Sequence, residues 1–410
     1  MQVDPAPSLA YVDTLYSADS IEWCPFEGYQ NIFVCGTYQI VKQEEAVDPR
    51  SENDKGDEGA SESDEEVEAG PSKPTERVGR LLVFRVGEDQ VTLNEIQRIE
   101  TAAILDTKWS PRLSNGRPSL AVADAKGCIT MYSLNPEVMK LEEDHRVAVA
   151  DELTLCLSLD FSHRLHPSSP SPSSIITSLS SGSLAYLKSG EAGYKVESEW
   201  KAHDFEPWIT SFDIWDLNTV WSGGDDCKLK RWDVRETFRP TLVNKNFEAG
   251  VTTISSSPHT PHLLAVGSYD ENLRIFDSRS PLEPLTTIPL GGGIWRTRFH
   301  PSIDRKGDIL NACMHDNFKI VRLDPSLLSH FDDNDISMSI GGHGDVDAKS
   351  GWEIVKQFEA HDSLAYGADW SRLPGRSDSI GAGVDRDCPA EGSLIASCSF
   401  YDHAMHLWRG

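Results

Sequence analysis

Residues that could bind a cation recur at one place in a repeated unit of this chain. Asp225, Tyr269 and Tyr401 each stand directly before an aspartate expected in a turn, and Tyr38 is the expected equivalent near the N-terminus. One copy of the unit departs from this pattern, and there His315 takes the same place. Aromatic faces attract quaternary ammonium groups through cation–π contacts, and carboxylates add opposite charge. Together these side chains favour a cation-binding surface.

A second set of aromatic residues should face the same side of the molecule. Trp208, Trp295 with its neighbour Arg296, and Tyr366 stand where the first strand of a repeat should begin. Both sets would then meet around the mouth of a central channel. For any one of these residues, a generic peptide-binding surface remains an open alternative.

The unit that positions these residues returns about every 45 residues. Its clearest copy runs from Ser222 to Asp233, and others end near Asp277 and Trp408. Such a period, with alternating β-branched and apolar residues, is typical of propeller blades. We predict an all-β fold, a seven-bladed WD-repeat β-propeller closed by an N-terminal strand. Residues 9–15 should supply the outer strand that the seventh blade lacks, which hides the open sheet edges.

Three insertions interrupt the predicted single domain, which spans residues 1–410. Residues 42–77 are acidic and almost free of large apolar side chains, so we predict a disordered insertion in blade one. Residues 324–350 and 373–391 are predicted as irregular insertions. Within blade four, His203, Ser222, Asp226 and Trp232 match a buried hydrogen-bonded set of WD-repeat blades, which makes them structural. His361 receives the same interpretation in blade seven.

Composition restricts the possible partners and the cellular compartment. The formal net charge of −27 disfavours nucleic acid and favours a cationic partner. The eight cysteines are scattered without a CxxC pair, which indicates reduced thiols and neither a metal site nor a disulfide framework. No apolar run approaches the length of a membrane span, and the N-terminus lacks the pattern of a secretion signal. The sequence therefore predicts a cytoplasmic monomer without metal, cofactor or membrane contact.

Familiar catalytic motifs are missing from the sequence. It contains no nucleophile elbow, HExxH motif, Walker loop or Rossmann fingerprint. The stretches 232–235 (WDVR) and 276–279 (FDSR) are similar to the WDxR box of propellers that dock on cullin-type ubiquitin ligases. A non-catalytic scaffold, or a substrate receptor of such a ligase, thus stays open beside an enzyme.

Longer strings resemble one particular family over essentially the whole ring. The strings lie at residues 18–25 (ADSIEWCP), 35–39 (CGTYQ), 103–109 (AILDTKW), 200–203 (WKAH), 222–226 (SGGDD), 267–271 (GSYDE), 312–315 (ACMH), 364–370 (LAYGADW) and 397–408 (SCSFYDHAMHLW). With them the sequence resembles the diphthine methyl ester hydrolases, the WD-repeat family of diphthamide biosynthesis. The resemblance fails only in the three insertions.

This resemblance implies an enzyme that acts on a protein. Diphthamide is a modified histidine of translation elongation factor 2, and one intermediate carries a trimethylammonium group and a methyl ester. The family is implied to hydrolyse that ester and to release methanol and diphthine, before a separate amidation enzyme, itself a possible partner, acts.

Ester hydrolysis needs an activated nucleophile and a group that stabilises the oxyanion. Our assignment makes a water molecule the nucleophile and His315 the general base, since the ordinary pKa of histidine suits neutral pH. Asp225 could orient or replace His315, and Arg296 could stabilise the oxyanion. Cys313 is a weaker alternative as a covalent nucleophile, and it fails if its side chain lies inside the blade. The substrate-binding residues would be the six aromatic residues Tyr38, Trp208, Tyr269, Trp295, Tyr366 and Tyr401.

Overall fold

The chain forms a ring of antiparallel sheets in which each sheet is one blade. The computed structural model describes residues 3–41, 75–331, 351–373 and 392–410. Within these ranges the strands build seven four-stranded sheets. This confirms the predicted seven-bladed β-propeller.

The strands follow one another from the channel outwards in each blade. Blade one contains β2 (Ser17–Trp23), β3 (Ile32–Val41), β4 (Glu76–Val86) and β5 (Leu93–Ala102). Blade two contains β6 (Ile104–Ser114), β7 (Arg117–Asp124), β8 (Cys128–Asn135) and β9 (Lys140–Ala148). Blade three contains β10 (Cys156–Phe161), β11 (Ser174–Leu179), β12 (Ser183–Gly190) and β13 (Gly193–Lys201). Blade four contains β14 (Ile209–Phe212), β15 (Thr219–Gly224), β16 (Lys228–Asp233) and β17 (Leu242–Asn244).

The remaining blades repeat this order, and blade seven completes the ring. Blade five contains β18 (Val251–Ser256), β19 (Leu263–Ser268), β20 (Asn272–Asp277) and β21 (Thr286–Pro289). Blade six contains β22 (Arg296–Phe299), β23 (Asp308–Ala312), β24 (Phe318–Leu323) and β25 (Trp352–Phe358), with a 3-10 helix at Ile303–Arg305 and α1 at Pro325–Ser329. Blade seven contains β26 (Ala365–Trp370), β27 (Leu394–Ser399), β28 (Ala404–Arg409) and the N-terminal β1 (Ala10–Asp13).

The ring closes through β1, as the sequence predicted. Strand β1 pairs antiparallel with β28, and Tyr11 stands opposite His406. The unpaired edge of the last blade is thereby covered, which removes a template for association between molecules.

The insertions fall mostly outside the described residues. Residues 42–74 and 374–391 lie outside them, so the predictions for these two insertions stay predictions. At their edges, Glu76 and Arg77 already belong to β4. The third insertion, predicted as irregular over 324–350, begins with helix α1, which buries Leu328 beside Phe331 in the core between blades five and six. Residues 332–350 lie outside the described ranges, so for them the prediction stays a prediction. In the described ranges no helix is long and apolar enough to cross a membrane.

A buried polar set holds the inner strands of blade four, as predicted. The imidazole of His203 lies 2.8 Å from Asp226 Oδ1 and 2.8 Å from Ser222 Oγ. The indole N–H of Trp232 donates to Ser222 Oγ at 2.9 Å. Burial lowers the pKa of His203, and its hydrogen bond to Asp226 partly opposes this. The structural interpretation of these residues is confirmed.

Blade seven repeats the set with one difference in spacing. His361 contacts Ser399 Oγ at 2.5 Å and Ser397 Oγ at 2.9 Å, and the Trp408 indole donates to Ser397 at 3.0 Å. The interval from Ser397 to Asp402 is one residue longer than the equivalent interval in blade four. The additional residue lies in the turn beside Phe400.

Candidate active site

Five aromatic rings meet at one mouth of the central channel. They are contributed by four different blades and are called the aromatic cluster here: Trp208, Tyr269, Trp295, Tyr366 and Phe400. The rings of Trp295 and Tyr366 lie 4.7 Å apart between centroids, and those of Tyr366 and Phe400 lie 4.8 Å apart. Trp208 and Tyr269 lie 5.9 and 6.1 Å from Trp295. The arrangement presents several π faces to a single ligand, which suits an organic cation.

Local backbone geometry explains why these side chains reach the mouth. In blades four to six the residue after the turn aspartate has a positive φ, at Cys227 (57°), Glu271 (68°) and Asn317 (56°). This left-handed residue reverses the chain tightly, so the residue before the aspartate is held on the channel face. Tyr269 and Asp225 are placed in this way.

Asp225 joins the cluster through Trp208. The indole N–H of Trp208 donates to Asp225 Oδ1 at 3.3 Å. Burial raises the pKa of the Tyr269 phenol, and the Asp225 carboxylate adds to this rise. Asp225 therefore provides a solvent-facing negative charge at the edge of the aromatic cluster.

Two predicted aromatic residues lie beside the cluster. Tyr38 sits inside strand β3 instead of at a turn, because β3 and β4 extend beyond the equivalent strands of other blades. Its ring lies 6.0 Å from that of Phe400. Tyr401 is 70% exposed and contacts Phe400 at 5.0 Å. Both therefore reach the cluster through Phe400, which the sequence analysis missed.

His315 lies in a neighbouring groove between blades six and seven. The groove is lined by His315, Asn317, His361, Asp362, Ser363, Leu364 and Tyr401. The backbone next to it is tied to the cluster, because the Ala365 N–H donates to the Met314 carbonyl at 2.9 Å. The structure thus brings His315 together with Tyr401. It shows no contact of the described part of the chain that joins His315 to Asp225 or Arg296.

Arg296 is engaged below the cluster. Its guanidinium lies 3.4 Å from the carboxylate of Asp106 on the other side of the channel. The same Asp106 oxygen is 2.7 Å from Lys108 Nζ. Burial opposes ionisation of Asp106, but Lys108 and Arg296 outweigh it and hold the pKa of this carboxyl below its ordinary value. An oxyanion role for Arg296 would require it to share its charge with Asp106.

Cys313 is excluded as a nucleophile. Its side chain is fully buried in the core between blades five and six. Burial raises the pKa of the thiol to about 12, so hardly any thiolate forms at neutral pH.

A second cavity opens at the opposite end of the channel. It has a volume of about 470 Å³ and is lined by residues near the far ends of the inner strands, including Glu22, Lys108, Asp160, Arg164, Arg296, Arg298, Asp369 and Arg372. Arg296 thus borders this cavity while Trp295, its neighbour in the chain, belongs to the aromatic cluster.

The fold and the aromatic mouth define a WD-repeat β-propeller with a candidate cation-binding face. Residues 240–277 match the WD domain, G-beta repeat family model. A chain from the crystal structure titled mitotic checkpoint complex superposes with a TM-score of 0.55 at 16% identity, covering 81% of this chain and 84% of that chain. That likeness concerns the fold alone.

Curated relatives match the chain along nearly its whole length. The diphthine methyltransferase of Mus musculus is 32% identical over 472 residues, covering 98% of this chain and 93% of that protein. The Homo sapiens protein of the same name is 32% identical, covering 98% of both chains. The homologue from Dictyostelium discoideum is 33% identical, covering 97% of both. The chain belongs to the diphthine methyltransferase family. The name of these relatives describes a methyl transfer, whereas the resemblance in the sequence predicted ester hydrolysis.

Proposed function

We propose that this protein hydrolyses the methyl ester of the diphthine methyl ester intermediate on translation elongation factor 2, releasing methanol and diphthine during diphthamide biosynthesis. The observation that carries the proposal is the aromatic cluster with a carboxylate at its edge. Family membership supports a role in diphthamide biosynthesis. We propose a cytoplasmic monomer that works without a cofactor, and the amidation enzyme as a possible further partner.

The chemistry of the substrate fits this mouth. In the intermediate that the resemblance implies, the trimethylammonium group and the methyl ester belong to the same modified histidine. A cluster that holds the cation would therefore also hold the ester close to the rings. Such fixation lowers the entropic part of the barrier, because the attacking water then meets a positioned carbonyl.

The proposed mechanism uses a water molecule as nucleophile. A base at the rim takes one proton from the water as its oxygen attacks the carbonyl, and the base then returns the proton to the departing methoxide. His315 remains our proposed base, since it borders the groove beside Tyr401. Asp225 is the alternative, because it is already bonded to Trp208 in the cluster. Arg296 can assist only from below the cluster.

A methanol assay with a matched variant tests the proposal. Purified protein is mixed with methyl-esterified elongation factor 2, and methanol and the mass of the modified peptide are measured. We expect a loss of about 14 Da per modified histidine, the mass difference between a methyl ester and its acid. Trp295→Ala should slow the reaction at low substrate concentration, because about 0.5–2 kcal/mol of cation–π binding is removed. Tyr11→Ala, at the exposed outer edge of blade seven, is the control.

The direction of methyl transfer is decided in the same experiment. A parallel reaction contains unesterified diphthine on the factor and isotopically labelled S-adenosylmethionine. Label entering the factor without methanol release would reject hydrolysis and favour the reaction in the relatives' name.

A second candidate is a substrate receptor of a cullin-type ubiquitin ligase. The arginine of each WDxR-like stretch is ion-paired to the aspartate two residues earlier, at 2.6 Å for Arg235 and 2.7 Å for Arg279. The stretches lie on consecutive blades. Co-purification with a ligase adaptor, abolished by Arg235→Ala with Arg279→Ala, combined with no methanol release, would favour this candidate.

A further inference from the structure

Asp19 faces the central channel beside the aromatic cluster. Strand β2 contains a bulge between Ala18 and Ser20, and Asp19 is the extra residue. Its side chain is buried, since only 4% is exposed. The Asp19 carboxyl interacts electrostatically with Arg296 and Asp106, and with the phenols of Tyr269 and Tyr366. These four partners come from four other blades, which fits a side chain directed into the channel that they share.

The register of the inner strands shows that Asp19 is an integral part of this mouth. Six inner strands end at an equivalent residue, and in the longer β6 Trp109 has the equivalent place. By register, the residue four positions earlier stands at the upper rim of the channel. These seven rim residues are Asp19, Leu105, Leu157, Trp208, Thr252, Trp295 and Tyr366. Three of them belong to the aromatic cluster. Asp19 is the one acidic member of the ring of seven.

The carboxyl of Asp19 has no cation of its own in the described part of the chain. Its Oδ1 atom is buried without a hydrogen-bond partner there. The guanidinium of Arg296, which acts electrostatically on Asp19, is paired with Asp106, which also holds Lys108. A buried acid that must share its cation is costly to ionise. The channel therefore contains an acidic group without a counter-charge of its own, directly beside rings that suit a cation.

We propose that Asp19 is the counter-charge of the aromatic cluster, and that it ionises when a quaternary ammonium group of the ligand enters. The identity of the ligand rests on the proposed function, but the binding step does not require hydrolysis. A quaternary group fits better than a primary ammonium, because a site built mainly of aromatic rings can contact all its methyl groups, whereas a primary ammonium needs an acceptor for each of three N–H groups.

Proton balance makes the proposal measurable. Burial raises the pKa of Asp19 to about 8; the charge of Arg296 opposes this rise, and Asp106 adds to it. Below that pH the empty site holds the proton, and binding of the cation releases it to solvent. Affinity should then rise by up to tenfold per pH unit between about pH 6 and 7.5, as linkage requires.

Other groups that face Asp19 do not produce the same signal in this range. Burial raises the pKa values of Tyr269 and Tyr366 and of the Cys398 thiol. The pKa of Asp106 is held low. Lys108, which faces Asp106, has its pKa lowered to about 8 by burial and therefore loses its proton mainly above the tested range.

The experiment uses tetramethylammonium as the probe and full-length protein. Calorimetric titrations at pH 6, 6.5, 7 and 7.5, in buffers of different ionisation enthalpy, give both the affinity and the number of protons released. Wild type should release close to one proton at pH 6.5. Asp19→Asn should release none and bind with an affinity that no longer depends on pH. Glu197→Gln removes an exposed carboxylate that is paired with Lys188 on the outer strand of blade three, away from the mouth, and should retain the proton release.

Several outcomes would overturn the proposal. These are pH-independent binding by wild type, equal proton release by Asp19→Asn, or methylammonium bound as tightly as tetramethylammonium. The wild-type measurement is decisive even if the variant does not fold. Linked proton release without any methanol from the factor would support Asp19 and reject hydrolysis. Methanol release with wild-type kinetics by Asp19→Asn would reject the role of Asp19 and leave hydrolysis standing.

Discussion

Replacing Asp19 by asparagine should stabilise the protein progressively more as the pH rises. The pKa of this acid is raised from 3.8 to about 8, mainly by burial. Between these values the unfolded chain has lost the proton while the folded chain keeps it. Stability therefore falls with pH by about 1.4 kcal/mol per unit for this one group. The Asp19→Asn substitution removes the titration, so the difference in unfolding free energy between variant and wild type should grow by about 3 kcal/mol from pH 5 to 7.

Urea unfolding at pH 5, 6 and 7 measures this difference. Only the difference is informative, because other buried groups titrate too. The pKa of His300 is lowered to about 4 by burial, which makes the total stability rise with pH in part of the same range. Asp19→Leu introduces the residue found at the same rim position in blades two and three. Its unfolding free energy relative to wild type should change with pH by the same amount per unit as that of Asp19→Asn, although the absolute values differ. If the difference in unfolding free energy from wild type did not change with pH for either variant, the Asp19 carboxyl would not be buried and protonated as argued.

Four further predictions follow from the same geometry. Deleting residues 1–16 removes β1 and should expose the edge of β28, which light scattering would detect as aggregation; a soluble monomer of unchanged stability would contradict the closure. Asp226→Ala should lower the urea-unfolding free energy by about 2–4 kcal/mol, because His203 loses its buried partner. His315→Ala should retain its melting temperature and reduce methanol release by about 10²–10⁴-fold; near wild-type turnover would move the base to Asp225. Cys313→Ala should release methanol at close to the wild-type rate, because its thiol is buried; a large loss of rate in a folded variant would contradict this.

The sequence predicted the fold well because each blade repeats its own local pattern. His203 with Asp226 and Ser222, and the closing strand near residue 11, could be recognised from spacing within one blade or at the chain ends. The aromatic residues Trp208, Trp295 and Tyr366 were recognised as a set for the same reason. Their position relative to the repeat fixes the face on which they lie.

Residues whose role depends on a local irregularity or on the opposite side of the ring were missed. Asp19 stands at the same place in the repeat as Trp208, Trp295 and Tyr366, so aligning the inner strands could have found it. The sequence does not contain the information that its Oδ1 atom is buried without a hydrogen bond. Phe400 enters the cluster because the turn of blade seven is one residue longer, and comparing the spacing in blades four and seven could have found it. The pairing of Arg296 with Asp106 joins distant blades across the channel, and no local pattern contains that information.

The closing strand has a consequence for how the protein is made. Residues 10–13 are synthesised well before their partners at 404–407. Until these partners are made, blade seven cannot form its sheet, and the growing arc keeps two open edges that could pair with other chains. Any product that stops before β28 retains such an edge and differs from the closed ring in a way that chaperones and proteases can detect. Closure thus requires a strand made early to stay unpaired until β28 has been synthesised.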